Sequence, residues 1–403
     1  MFIKPKIKRE VYLDHSAATY CIPAVIKAML PYFADIYGNP SSLYHKGREA
    51  NGALNDSRRT VAKLINALPE NIIFTSGGSE SDNTAIYGIA HTHQHKGKHI
   101  ITSAVEHHAV LYPLQDLQKQ GWEITYLKVD EQGFINLKDL IKAIRPDTVL
   151  VSIMYANNEV GTIEPIADIG REILKYRKEN STIYPYFHSD ACQAASYIKL
   201  DVEKLHVDLM TLNGSKMYGP KGVGMLYVRR GVRLRPLIVG GGQERHLRAG
   251  TENVPAIVGF AKAFELAQQQ VEIESKLVGE LTALLWKELQ EKISKLKLNG
   301  PALGDKRLPN NLNITFIGVE GEAALLYLDE YGIMCSTGSA CTSESLDPSH
   351  VLLAMNLSYE FSNSSLRFTF GHCNSKKDIK YMMKYLPDII KQLREINQTK
   401  KYG

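Results

Sequence analysis

The sequence lacks the features that mark several large protein classes. Its apolar runs all stay short of the roughly eighteen residues that a membrane-spanning helix needs. The 403 residues carry a formal net charge of +5 without a long run of either sign, which argues against a nucleic-acid-binding stripe or a membrane-binding patch. The basic N-terminus has no apolar signal segment, so we expect a mature cytoplasmic protein.

Cysteine is scarce, and its spacing excludes further classes. The five cysteines are odd in number and widely scattered, so neither a disulfide framework nor a CxxC zinc or redox pair is expected. A reducing compartment with at most one reactive thiol fits this pattern. We expect four of the cysteines to be structural: Cys21, Cys192, Cys335 and Cys373.

The chain does contain a regular alternation of short apolar runs and longer amphipathic segments. Runs rich in Val, Ile, Thr and Tyr predict strands at 71–75, 99–103, 123–127, 148–154, 184–190, 207–212 and 224–228. The intervening segments with helical spacing are 80–91, 107–120, 137–144 and 166–177. This alternation predicts an α/β fold with one mostly parallel sheet and helices on both faces.

The pattern changes after about residue 258. Apolar residues from 264 to 289 recur at helical spacing, and a strand at 312–316, a helix from 322, a Gly/Ser-rich loop, a strand at 365–370 and a final helix follow. We therefore predict a large domain, residues 15–260. A smaller α/β domain would be formed by residues 1–14 and 261–403.

Polar residues follow several predicted strands, at the edge where parallel sheets bind ligands. Gly78 and Ser79 would lie at a helix N-terminus that favours phosphate, although a plain serine cap is the commoner case. His107 is either structural or suited to stacking on a ring and moving protons. Asn158 could bind a ligand or form a turn, and Asp190 would need a cationic partner if buried.

Lys216 lies between glycine turns after the next strand. A lysine in that position can form a Schiff base with an aldehyde cofactor, although solvated loop lysines are commoner. Pyridoxal 5′-phosphate requires an anion-binding turn, a carboxylate for its pyridine nitrogen and a lysine for its aldehyde. The combination of these residues is far more specific than any one of them.

With these residues in view, the sequence resembles the cysteine desulfurases, pyridoxal-phosphate enzymes of the class V aminotransferase family. Within them it resembles the group with a long catalytic loop that serves iron–sulfur cluster assembly and nitrogenase maturation. The resemblance extends from residue 12 to about 393. It rests on YLDHSAAT, GNPSSLYHKGREA, FTSGGSESDN, EHHAV, NNEVGT, HSDACQA, GSKMYGPKGVG, GGGQERHLRAGTEN, STGSACTSESLDPSHVL and SSLRFTFG. It implies fold type I of the pyridoxal-phosphate transferases, with a seven-stranded sheet.

The resemblance also implies roles for individual residues. Lys216 would hold the cofactor and move protons, Asp190 would pair with the pyridine nitrogen, and His107 would stack on the ring. Thr251 corresponds to a residue that reaches the phosphate of a neighbouring subunit, which implies a homodimer. The implied cofactor-binding set is Gly78, Ser79, His107, Asn158, Asp190, Gln193, Asn213, Ser215, Lys216 and Thr251.

For the substrate, the resemblance implies that Arg367 and Asn158 bind L-cysteine, Arg367 through its carboxylate. Cys341 would accept the sulfur as a persulfide, leave alanine as the product and pass the sulfur to an acceptor such as an iron–sulfur scaffold. Cys341 could also bind a nascent cluster transiently; no resident metal is expected. His91, His93, His95 and His99 have helical metal-ligand spacing, but a solvated cluster is the simpler interpretation.

Two residues depart from the family pattern, and three other functions are alternatives. Asn213 and Ser215 stand where the family usually has serine and histidine, which suggests weaker cofactor retention or slower turnover. The same fold could serve a selenocysteine lyase or an aminotransferase, and transamination needs no thiol. A third alternative is a degenerate scaffold that only binds partners.

Overall fold

A computed structural model describes residues 9–337 and 348–402 of the chain. The strands are β1 (Val11–Tyr12), β2 (Ile72–Thr75), β3 (His99–Ser103), β4 (Glu123–Leu127), β5 (Thr148–Ser152), β6 (Tyr186–Asp190), β7 (Leu209–Asn213), β8 (Gly224–Val228), β9 (Leu296–Asn299), β10 (Asn311–Phe316), β11 (Ile333–Met334) and β12 (Ser365–Thr369). The helices are α1 (Pro23–Met29), α2 (Pro31–Ala34), α3 (His45–Leu64), α4 (Gly78–His93), α5 (His108–Lys119), α6 (Leu137–Ala143), α7 (Ile166–Glu179), α8 (Val202–Leu205), α9 (Val254–Lys292), α10 (Gly321–Glu330), α11 (His350–Ala354), α12 (Tyr359–Asn363) and α13 (Lys376–Tyr402).

The largest sheet has seven strands in the order β2-β8-β7-β6-β5-β3-β4. All neighbouring pairs from β7 to β4 are parallel, and only β8 runs against the others. The predicted mostly parallel α/β sheet is therefore confirmed. Each predicted strand of this sheet begins and ends within two residues of the observed one.

The reversed direction of β8 follows from its connection to β7. A parallel pair needs a long crossover, usually through a helix. The segment between β7 and β8 contains only the short 3₁₀ turn Gly214–Lys216, so the chain folds directly back. In that hairpin Asn213 lies opposite Gly224, which keeps the turn at the carboxyl end of β7.

The long helix α9 begins ten residues before the predicted start at 264. The Asn253 side chain caps it by accepting the N–H of Ala256, and Pro255 lies in its first turn, where a missing N–H costs nothing. Phe260 packs edge-on against Phe74 of the large sheet, whereas the Thr282 hydroxyl donates to Pro309 O. Because α9 passes through residue 260 unbroken, the division into domains at that point stays a prediction.

The C-terminal part of the chain forms a second, antiparallel sheet in the order β12-β10-β9. Its strand β9 was not predicted. The two-stranded pair of β1 and β11 and an isolated bridge between Asp14 and Thr369 join the N-terminal segment to this region. Over the described ranges, the helices are too short or too polar to cross a membrane.

Candidate active site

The polar residues predicted at strand ends meet at the carboxyl edge of the large sheet. Asp190 ends β6, is buried, and accepts the N–H of Cys192 at 2.9 Å through Oδ1. Lys216 ends the 3₁₀ turn that follows β7. Its Nζ donates to two backbone carbonyls, Ser16 O at 2.7 Å and Ala17 O at 2.6 Å.

His107 follows β3 and caps α5. Its Nδ1 accepts the N–H of Ala109 at 3.1 Å, so a neutral ring carries its proton on Nε2. Burial lowers the pKa of His107; the charge of Lys216 lowers it further and that of Asp190 raises it. These effects place His107, Asp190 and Lys216 within one electrostatic neighbourhood.

The turn from β2 into α4 provides a cradle that a side chain would fill. A Cβ on Gly78 would lie 2.9 Å from Cys192 Sγ and 3.5 Å from Asn213 Cβ. Ser79, the next residue, is exposed at the first turn of this long helix, where free N–H groups favour an anion. The cradle, the carboxylate of Asp190 and the amine of Lys216 together fit pyridoxal 5′-phosphate.

Asn213 and Ser215 shape the turn that carries Lys216. Asn213 Oδ1 accepts the N–H of Ser215 at 3.3 Å and so caps the turn. The Ser215 carbonyl in turn accepts both the N–H and the hydroxyl of Thr19. These contacts account for the turn's geometry, and the effect of the two residues on cofactor retention stays a prediction.

The segment after β1 completes the site, although the sequence analysis assigned it no role. Gln193 Nε2 donates to Ser16 O at 2.9 Å, the carbonyl that also accepts Lys216 Nζ. Gln193 and Lys216 therefore both donate to the carbonyl oxygen of Ser16, which is 177 and 200 positions away from them in the sequence. The motif YLDHSAAT was the signal that could have pointed to this segment.

Arg367 lies in β12 and is almost completely buried, 2% exposed. It donates to Asn158 O at 2.9 Å and to Asp14 Oδ1 at 2.7 Å. Its Nε has no hydrogen-bond partner among the described residues. The structure thus brings Arg367 to the backbone of Asn158 and adds Asp14, a counter-ion that sequence reasoning missed; the substrate-binding roles of Arg367 and Asn158 stay a prediction.

Thr251 and Cys341 are the remaining predicted site residues. Thr251 is exposed and lines a cavity of about 290 Å³ together with Ser76 and Gly222. Cys341 lies outside the described residues, between 337 and 348. The described part of the structure therefore defines the cofactor region and leaves the placement of the thiol as a prediction.

The histidines with metal-ligand spacing have other partners. His93 Nε2 donates to Arg233 O at 3.0 Å, and its Nδ1 lies 2.9 Å from the Tyr184 hydroxyl. The two ring nitrogens of His99 lie 2.7 Å and 2.8 Å from threonine hydroxyls. Over residues 9–337 and 348–402 no group of three or more His, Cys, Asp or Glu could hold a metal ion.

Comparison with known proteins finds similarity along nearly the whole chain. The family model for aminotransferase class-V matches residues 11–382. The cysteine desulfurase IscS of Clostridium botulinum is 49% identical over 391 residues, 97% of each chain. That of Dictyoglomus turgidum is 50% identical over 394 residues, 98% of each chain. A solved structure described as a NifS-like protein matches with a TM-score of 0.88 at 36% identity, covering 96% of this chain and 100% of that chain.

Proposed function

Since the chain belongs to the aminotransferase class-V family, and within it to the cysteine desulfurases, we propose that it removes the sulfur of L-cysteine, releases L-alanine and leaves a persulfide on Cys341. It is an enzyme, and its cofactor is pyridoxal 5′-phosphate. The observation that carries the proposal is the meeting of Asp190, Lys216 and His107 at one edge of the sheet.

When bound, pyridoxal 5′-phosphate supplies an electron sink that stabilises negative charge at Cα of an amino acid. Asp190 would hold a proton on the pyridine nitrogen by its own negative charge. Lys216 Nζ is the amine that would bind the aldehyde and then carry protons to and from the substrate carbon. His107 would cover the ring, and Gly78 and Ser79 would bind the phosphate.

Arg367 would hold the substrate carboxylate. Its other two nitrogens are fixed by Asn158 O and Asp14, and its buried Nε has no hydrogen-bond partner within the described region. A guanidinium fixed in this way loses little side-chain freedom on binding. Asn158 would lie beside both the carboxylate and the cofactor.

The sulfur step balances within substrate and enzyme. The Cys341 thiolate would form an S–S bond with the substrate sulfur as the Cβ–S bond of cysteine breaks. The electron pair of that bond stays with carbon, which takes up protons and leaves as alanine. No external oxidant or reductant is consumed.

We extend the proposal to the assembly and the acceptor. The exposed position of Thr251 is suited to contact with a second copy of the chain, so the working unit would be a homodimer. The homodimer would act in the cytoplasm. The persulfide would pass to an acceptor thiol, such as that of an iron–sulfur scaffold. Cys341 could bind a nascent cluster during this transfer.

Release of alanine and sulfide from L-cysteine tests the proposal in wild type, Lys216→Ala and Cys341→Ser. We expect both variants to lose activity by at least about a thousandfold, because each lacks a covalent participant. Cys341→Ser should keep the visible absorbance of the bound cofactor, whereas Lys216→Ala should not. Cys373→Ser, which removes an exposed thiol to which the proposal gives no role, is the matched control and should remain active.

Full sulfur transfer by Cys341→Ser would contradict the persulfide assignment. Transamination by that variant at the wild-type rate would instead identify an aminotransferase, since that reaction needs no thiol. A selenocysteine lyase would favour selenocysteine over cysteine in the same assay.

A further inference from the structure

The face of β6 that carries Asp190 also carries a buried histidine. Side chains two apart in a strand point to the same face, so His188 lies beside Asp190 beneath α4. Across the parallel neighbours, Ser152 is in register with His188 and Thr211 is in register with Asp190. We call Ser152, His188, Asp190 and Thr211 the polar strip. It lies in the centre of the sheet, behind the carboxyl end of the strands that would face the cofactor.

Hydrogen bonds link the strip into one row. His188 Nδ1 lies 2.9 Å from Ser152 Oγ, and His188 Nε2 lies 3.1 Å from Thr211 Oγ1. Asp82 of α4 faces the same ring, with Oδ1 3.5 Å from His188 Nε2. Asp82 is 1% exposed and His188 is 0% exposed, and Asp82 Oδ1 has no hydrogen-bond partner in the described part of the chain.

The cluster brings three carboxyl groups into one buried region. Asp82 faces Asp190 and Glu106, whereas the cations near Asp190 are Lys216 and, when protonated, His107. Burial raises the pKa of Asp82 well above its ordinary value, and the charge of Asp190 raises it further. Burial also raises the pKa of Glu106 to about 8 and lowers the pKa of His188 to about 4.

We propose that Asp82 holds a proton and, with a neutral His188, forms an uncharged support behind Asp190, so that the negative charge of the cluster is kept on Asp190. Asp82 and His188 are positioning residues, because they act through Asp190 and not on the substrate. The inference rests on the proposed function, in which Asp190 pairs with the pyridine nitrogen of the cofactor.

Asp82→Asn tests the charge, because asparagine has the shape of the protonated acid and cannot titrate. An acid whose pKa is raised in the folded state keeps its proton where the unfolded chain has lost it, so stability falls as pH rises. The apoenzyme of Asp82→Asn should therefore gain on wild type as pH rises above about 4, the ordinary pKa of an aspartate, by up to tenfold per pH unit in the unfolding equilibrium. Glu106 titrates equally in both proteins and cancels.

Urea unfolding of the apoenzymes, followed by circular dichroism, gives this comparison. An advantage of Asp82→Asn that is flat or declines with rising pH would mean that Asp82 is ionised, and it would overturn the proposal. His188→Gln is the second variant. Wild type should gain on it as pH rises from about 5 to about 6.5, by up to tenfold per pH unit in the unfolding equilibrium, because the unfolded chain binds a proton at histidine in that range and a neutral buried imidazole does not. The two proteins should run parallel above about pH 7. A wild type that instead loses stability relative to His188→Gln above about pH 6.5 would show a protonated His188 and would also overturn the proposal.

A spectroscopic measurement reports on Asp190 itself. In the cofactor-loaded enzyme, the pH midpoint of the visible absorbance should stay within about 0.3 units in Asp82→Asn, because no charge is removed. Asp190→Asn is the positive control and should shift the midpoint by more than about one unit. A shift in Asp82→Asn as large as the control contradicts the proposal. If the wild-type enzyme showed no desulfurase activity, the proposed function would be overturned. The unfolding measurements on the apoenzyme would still decide whether Asp82 is charged.

Discussion

Arg58 and Glu244 form a buried ion pair whose loss should destabilise the protein strongly. Arg58 of α3 donates to Glu244 through two nitrogens, at 2.8 Å and 2.6 Å, and both side chains are at most 6% exposed. Glu244 also accepts the N–H of Phe74 at 2.9 Å, and the guanidinium lies 4.9 Å from the Phe74 ring centre. The pair therefore fastens the segment around residue 244 to the strand that leads to the phosphate turn.

The backbone at residues 244–246 is strained and needs contacts that hold it in place. Glu244, Arg245 and His246 have φ values of 45°, 58° and 64°, in the left-handed region that side chains disfavour. Each such residue costs about 1 kcal/mol or more and persists only where surrounding contacts hold it. The Arg58–Glu244 pair supplies contacts of that kind a few residues before Thr251.

Arg58→Met should lower the free energy of unfolding by about 3–5 kcal/mol, because it leaves the Glu244 carboxylate buried without its partner. Urea unfolding of the apoenzyme measures this loss. Arg59→Met is the matched control in the same helix, because Arg59 pairs with Asp56 at the surface and such pairs contribute at most about 1 kcal/mol. The double variant Arg58→Met/Glu244→Met should recover part of the loss by removing the buried charge.

Equal losses in the Arg58→Met and Arg59→Met variants would refute the reasoning, because burial would then make no difference to the pair. The reasoning would also be refuted if the double variant lost as much free energy of unfolding as Arg58→Met and Glu244→Met lose when their separate losses are added. In that case the two side chains would contribute independently and not as a pair.

Two further outcomes concern the cofactor site. Gly78→Ala should weaken pyridoxal 5′-phosphate binding at least about tenfold, measured by fluorescence titration, because its Cβ would lie 2.9 Å from Cys192 Sγ. Ser79 is exposed, so Ser79→Ala should weaken binding less. Equal losses of affinity in the two variants would contradict the steric argument. Ser215→His should bind the cofactor more tightly, because histidine adds a donor beside the phosphate. An affinity equal to wild type would show that the serine does not weaken retention.

The large sheet could be predicted because its signal is local. Its strands are short runs of β-branched and aromatic residues bounded by polar turns, and hydrophobic burial selects those runs directly. At 148–154 the predicted end was two residues too long, because the chain stays apolar and buried through Ile153 and Met154 after the strand has ended at Ser152. The start of α9 was missed because the cap at Asn253 and the proline in its first turn lie before the apolar repeat that marks the helix.

The contacts that complete the site could not be predicted from local pattern. Asp14 and Arg367 are 353 positions apart, and Lys216 and Ser16 are 200 apart. Neither pairing leaves a periodic signal in the sequence, since each depends on where the tertiary fold places the segment that follows β1. The motif containing Asp14 was recognised, but its partner depends on the tertiary fold.

Asp190 has more neighbours than its position at a strand end indicates. A carboxylate at the end of a buried strand needs a cation, and His107 and Lys216 lie near it. The structure adds Asp82 and Glu106, two more carboxyls in the same low-dielectric region. Burying three ionised carboxylates together would carry a large desolvation cost, which is the main reason that the pKa values of Asp82 and Glu106 are raised. The proposed proton on Asp82 lowers that cost, and it keeps the negative charge on Asp190, where a pyridine nitrogen needs it.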